Sequence, residues 1–279
     1  MTQRGAVFLG PTIVQIEIPG PNEEVLPDLP WGAIDAFPTP AYWTYQVIAR
    51  RLGGWPLRHR LGNSLREEVA VCLLGGHGIP ASVGVAAFHR LKTRGCLEEH
   101  PTEARLLAQL SEPLTVDGRA VRYRFARQKA RHLSSALQRL ADASPPTDSG
   151  RGLRDWLIDL PGVGPKTASW IARNWLDADD VAILDIHVLR AGALGGFFDV
   201  GLTVERHYLR LEAQFLRFAH AIGVRPSELD AVIWSEMMSS RATVRRLSDG
   251  RLPGLCAPAR SGRRAHVGRA HAGQARLIE

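Results

Sequence analysis

Hydrophobic positions recur along most of this chain at helical spacing. Leu153, Trp156, Leu157 and Leu160 stand at i, i+3, i+4 and i+7, and Ala168, Ile171, Ala172 and Trp175 repeat the pattern. The same reading predicts helices over 41–52, from Ser64 to a break at Gly75-Gly76, over 82–94, and over 98–112. It continues from the segment 119–131 to residue 143, and further helices are expected over 186–193, 203–221 and 226–239. Ser64-Leu65-Arg66-Glu67 has the form of a capping box. Alternation suited to a strand occurs once, over Ile13–Ile18, in a Pro- and Gly-rich arm of residues 1–40. Ser144–Gly150 reads as a linker, and Asp117-Gly118 as a turn. The class is therefore mostly α.

Two helical patterns meet at Leu160-Pro161-Gly162-Val163-Gly164-Pro165-Lys166. Gly162 and Gly164 permit a tight turn, and Pro165 suits the first turn of a helix, where its missing N–H is not needed. A helix–hairpin–helix results. The amides of Val163, Gly164 and the next turn are expected to face outward at a positive helix end, which suits a phosphate. Lys166 lies beside that end. Burial there and the positive helix end would both favour a neutral amine.

At 279 residues and 45% hydrophobic, the chain can bury a core. Cys72, Cys96 and Cys256 are too few and too scattered for a disulfide framework and fit a reducing cytosol. No apolar run approaches the roughly 18 residues of a membrane span, and the N-terminus has no signal-peptide pattern. A cytoplasmic, nucleoid-associated monomer without membrane contact is expected. The net charge is +7, and residues 241–279 carry all of that surplus, with nine arginines, no lysine and two acids. From about Arg251 the periodicity fades, so 251–279 is expected to be a disordered basic tail. The body sums to zero, so its positive charge must be local. Arg119, Arg122, Arg124, Arg127, Lys129 and Arg131 cluster with Tyr123 and Phe125 among them. That stretch is a candidate phosphate-binding patch, or else a solvated helix face.

The hairpin ending in Lys166, followed by Ile183-Leu184-Asp185-Ile186-His187-Val188-Leu189-Arg190, resembles the helix-hairpin-helix DNA glycosylases. Asp185 follows Lys166 by nineteen residues. Val121-Arg122-Tyr123-Arg124-Phe125 and Leu229-Asp230-Ala231-Val232-Ile233-Trp234 resemble the short archaeal and bacterial branch of the 8-oxoguanine glycosylases. The resemblance covers roughly 60–240. It implies two helical subdomains around a DNA-binding cleft, one from 41–62 and 135–250 and one from 63–134.

The resemblance also implies a bifunctional glycosylase/AP lyase that needs no cofactor or metal and acts on double-stranded DNA with a damaged or modified base. Only Cys256 follows Asp185, so the four-cysteine iron–sulfur site of related branches cannot form. Lys166 is the candidate nucleophile that forms a Schiff base, and Asp185 the candidate carboxylate that stabilises positive charge on the sugar. Taken singly, Lys166 could serve as a phosphate contact and Asp185 as a helix cap. Lys92 and Lys129 are ordinary alternatives for the amine. Gly162, Val163, Gly164, Arg122, Arg124, Arg127 and Lys129 are candidate DNA contacts. His77 or Ile79 is a candidate wedge into the gap left by a flipped base. Asp230 and Trp234 are candidates for the base pocket, and either also fits a helix packed on the core. Trp170, four residues after Lys166, stands where eukaryotic 8-oxoguanine enzymes have a cysteine. Excision of another modified base, including those of phage DNA, therefore remains an alternative. So does a noncatalytic DNA-binding module.

Overall fold

The computed structural model of the chain describes residues 1–55, 60–76, 78–97, 100–240, 244 and 247. His77 and the tail 251–279 fall outside these residues. The N-terminal arm holds more strand than its alternation predicts. β1 (Gln3–Leu9) pairs antiparallel with β2 (Thr12–Ile18), turning at Gly10-Pro11, with Val7 opposite Val14. β2 turns Ile16 and Ile18 inward and leaves Ile13, Gln15 and Glu17 exposed. A second small pair, β3 (Glu24–Leu26) and β4 (Leu29–Pro30), leads to α1 (Pro40–Leu52), whose N-cap is Thr39.

The next run holds α2 (Leu65–Leu74), α3 (Ala81–Thr93) and α4 (Glu103–Ser111). The Ser64 hydroxyl accepts the Glu67 amide as a capping box requires. The Glu67 carboxylate closes the box one residue early, on the Asn63 amide, and also meets Lys92. Where a helix was expected from residue 119, β5 (Leu114–Val116) and β6 (Arg119–Val121) form a hairpin. Asp117 and Gly118 at its tip both have positive φ, which a two-residue hairpin turn of this twist needs. α5 (Ala126–Asp142) starts only after it. There follow α6 (Gly150–Ile158), α7 (Pro165–Leu176), α8 (Ile186–Gly195), α9 (Val204–Ala221) and α10 (Pro226–Ser239).

Buried side chains form two cores. The first gathers β1, β2, α1 and α8–α10 around Trp43, Val188, Phe215, Phe218 and Ile233. The second gathers α2–α7 around Phe88, Leu91, Leu133, Leu157 and Ile171. This division corrects the expected one, in which 135–250 packs with 41–62 and 63–134 stands apart. The apolar stripes of α6 and α7 join the core of α2 and α5, and Asn174 of α7 donates to Glu68 of α2 at 3.0 Å. The N-terminal residues pack on the helical body, with Val7, Ile16, Ile18 and Trp31 in the first core. The chain passes between cores at Val181-Ala182, just before Asp185. No helix among the described residues is long and apolar enough to cross a membrane.

Candidate active site

The hairpin between α6 and α7 forms as its glycines predict. Gly162 has φ +82°, and a Cβ there would lie 2.1 Å from Nδ1 of His132 on α5, so both backbone and space demand glycine. Burial, with Arg131 and Lys129 nearby, pushes His132 below the usual imidazole range. A Cβ at Gly164 would meet nothing within 4 Å, so that side of the turn is open. One detail differs from expectation. Val163 is buried, and its N–H donates to the Leu160 carbonyl at 3.0 Å rather than facing outward. Gly164 caps α7 with no side-chain partner, so the open amides belong to Gly164, Lys166 and Thr167.

Lys166 Nζ lies 3.8 Å from Asp185 Oδ2. Asp185 is the N-cap of α8, and its Oδ1 accepts from the amides of His187 (2.8 Å) and Val188 (3.1 Å). One oxygen thus fixes the carboxylate on the helix, and the other turns toward the lysine. The Lys166 side chain is 46% exposed and that of Asp185 14%. The expected burial of the amine is not met; it sits at an open surface facing a half-enclosed carboxylate. The chain has three lysines. Lys92 pairs with Glu67 at 2.8 Å, and Lys129 is tied to backbone carbonyls. Among the three, Lys166 is the one that faces a carboxylate already anchored by a helix end.

The basic stretch divides by side. Arg119, Arg122, Arg124, Arg127 and Arg131 are exposed. Lys129 is a correction to the expected DNA contacts. Its Nζ donates to the carbonyls of Leu73 (2.5 Å) and Gly75 (2.9 Å), closing the C-terminus of α2, and burial lowers its pKa. Tyr123 points the same way and donates to the Leu74 carbonyl at 2.6 Å. Phe125 is exposed with left-handed backbone, and the Arg124 guanidinium lies 4.7 Å from its ring. A cavity of about 590 Å³ at the start of α5 is lined by Glu103, Phe125, Arg127 and Arg131, and not by Lys166 or Asp185.

Asp230 is the second correction. It is buried, accepts from Arg173 at 2.7 Å and from the Ile183 amide at 3.2 Å, and has no face left for a base. Burial outweighs the nearby arginine and pushes its pKa up to about 6. Trp234, one helical turn on, is 47% exposed and remains available. Trp170 packs against the second core, and Cys72 is buried with its thiol pKa pushed up by that burial. Ile79 is buried, which disfavours it as a wedge.

Tyr208 and Glu212 escaped the sequence reading. They stand four apart on α9, on the same stripe as apolar Leu211 and Phe215, and both reach the run that leads to Asp185. A polar pair on an otherwise buried helical stripe was the available signal.

The sequence model of the family described as 8-oxoguanine DNA glycosylase matches residues 57–224. An 8-oxoguanine DNA glycosylase/AP lyase of Thermoplasma volcanium is 33% identical over 121 residues, which is 42% of this chain and 57% of that protein. The match thus spans little more than half of the relative's length. Among solved structures, the 8-oxoguanine DNA glycosylase of Thermotoga maritima aligns over 71% of this chain and 96% of its own, with TM-score 0.51 and 23% identity. The Methanocaldococcus jannaschii 8-oxoguanine glycosylase/lyase, in complex with 15mer DNA containing 8-oxoguanine, aligns over 63% and 81%, with TM-score 0.50 and 23% identity. These two share the fold. With well over half of its length matched by the family's sequence model, this chain belongs to the 8-oxoguanine DNA glycosylase family.

Proposed function

We propose that the chain is a bifunctional DNA glycosylase/AP lyase that removes an oxidised purine, 8-oxoguanine, from double-stranded DNA. The observation that carries this is the open Lys166 amine 3.8 Å from the helix-anchored Asp185, at the mouth of the hairpin. The amine, once deprotonated, attacks C1′ as the bond to the base breaks, and the base leaves with the bonding electrons. Positive charge builds on the sugar, and the Asp185 carboxylate stabilises it. Ring opening gives an imine between Lys166 and C1′. That imine acidifies C2′; loss of its proton expels the 3′ phosphate and breaks the strand.

The open amides of Gly164, Lys166 and Thr167 suit a backbone phosphate. Arg122, Arg124 and Arg127 extend the positive surface, and Trp234 offers a ring for the flipped base. Family membership and the names of the relatives support 8-oxoguanine as the base. Borohydride should trap a covalent adduct between the protein and a duplex carrying 8-oxoguanine opposite C, and Lys166→Gln should give none. An adduct from Lys166→Gln would refute the role of the lysine. In single-turnover comparison with uracil, thymine glycol and hydroxymethylated cytosine, a preference below about tenfold, roughly 1.4 kcal/mol, would refute the base and spare the lysine.

A further inference from the structure

Residues 182–184 follow the passage from the second core into the first, and they lie in no helix or strand. Buried amides must still find acceptors. Here three successive N–H groups are each taken by a side chain. Ala182 donates to Glu212 Oε1 at 3.0 Å, Ile183 to Asp230 Oδ2 at 3.2 Å, and Leu184 to the Tyr208 hydroxyl at 3.2 Å. Tyr208 in turn donates to the Ala182 carbonyl at 2.7 Å. Burial pushes the Tyr208 pKa up, so the hydroxyl keeps its proton and makes both bonds. The next residue is Asp185.

The same carboxylates also grip the hairpin. Glu212 pairs with Arg154 of α6 and accepts from Ser169 of α7 at 3.3 Å. Asp230 pairs with Arg173 of α7 at 2.7 Å. Lys166 stands at the start of α7, three residues before Ser169 and seven before Arg173. Both acids and both arginines are buried. Buried ion pairs of this kind contribute little net stability against apolar replacements. They do fix geometry, and here they tie the helix that carries the amine to the segment that carries the carboxylate.

We propose that Tyr208, Glu212 and Asp230 are positioning residues that set where Asp185 stands relative to Lys166. The inference rests on the catalytic roles proposed above for that pair. It predicts a split between the two half-reactions. Base departure needs the carboxylate beside a developing cation, and an ångström of misplacement costs on the order of 10²-fold in rate. Condensation of Lys166 with a preformed abasic aldehyde involves no such cation.

Tyr208→Phe keeps the ring in the core and removes both hydroxyl bonds. Single-turnover excision of 8-oxoguanine should fall about tenfold, while cleavage of a duplex with a preformed abasic site changes less than about threefold. The decisive control is a double-mutant cycle with Asp185→Asn. If Tyr208 acts through Asp185, adding Tyr208→Phe to Asp185→Asn lowers excision no further. Additive losses, or equal losses in both half-reactions, would overturn the proposal. Should Tyr208→Phe fail to fold, Asp230→Asn serves in the same cycle. Arg173 and Ile183 reach different oxygens of Asp230, so in the asparagine one of them meets an NH2 group that cannot accept, and the same non-additivity is expected. If the wild-type protein neither excises nor cleaves, the catalytic reading itself fails and the positioning role falls with it. If it does both and the cycle is additive, only the positioning role fails.

Discussion

Helix α7 carries two cation–carboxylate pairs, two turns apart, that differ in nearly every physical respect. At its start, Lys166 faces Asp185 across 3.8 Å, with the lysine nearly half exposed. Two turns on, Arg173 meets Asp230 at 2.7 Å, with side-chain exposures of 5% and 3%. The buried pair has every acceptor committed, since Asp230 also holds the Ile183 amide. In the open pair, Asp185 Oδ2 and the Lys166 amine face each other at 3.8 Å, beyond hydrogen-bond distance. Opposite charges near each other therefore do not mark a reactive site. What sets the proposed site apart is a looser pair at a surface, with the carboxylate fixed from behind by a helix end.

Substitution should separate the pairs most sharply in stability. Arg173→Ala leaves Asp230 buried and unpaired, and should cost about 3–5 kcal/mol in urea unfolding. Lys166→Gln should cost less than about 0.5 kcal/mol, because an exposed pair contributes little. Equal losses would erase the distinction. A smaller effect concerns the two kinds of cation near α5. Arg124→Ala should weaken DNA binding and lower the salt dependence by about one counterion. Lys129→Met should leave that slope unchanged, since its ammonium is spent on Leu73 and Gly75.

The buried pair should also give stability a pH dependence. Folding raises the Asp230 pKa to about 6 from the usual 3.8, so the folded state holds that proton more tightly. Its contribution is then full below the unfolded value and is lost as pH rises through about 6. The stability difference between wild type and Asp230→Asn, measured by thermal unfolding, should shift against wild type over that window. A flat difference would contradict the raised pKa.

Local features were legible in the sequence. Gly162 and Pro165 fix a turn whose demands are met within a few residues. Asp185 announces a helix cap in the same way, and α10 matches its expected range, Pro226–Ser239. Tertiary commitments were not legible. Nothing adjacent to Lys129 tells that the end of α2 will take up its charge, and nothing near Asp230 tells that Arg173 arrives from 57 residues away. The β5–β6 hairpin was readable from Asp117-Gly118, but the strands around it are three residues long and the helical pattern beyond them dominated. The assignment of α6 and α7 to the second core depends on which face of α2 is open to them, which periodicity alone does not give.

The central claim is that one amine of this chain does the chemistry. The direct measurement is peptide mapping by mass spectrometry of the borohydride-reduced adduct with a duplex carrying 8-oxoguanine. Lys166 should carry the sugar remnant, with Lys92, Lys129 and the N-terminal amine unmodified. A remnant on any of those other amines, or no adduct on a substrate the protein demonstrably cleaves, would contradict it.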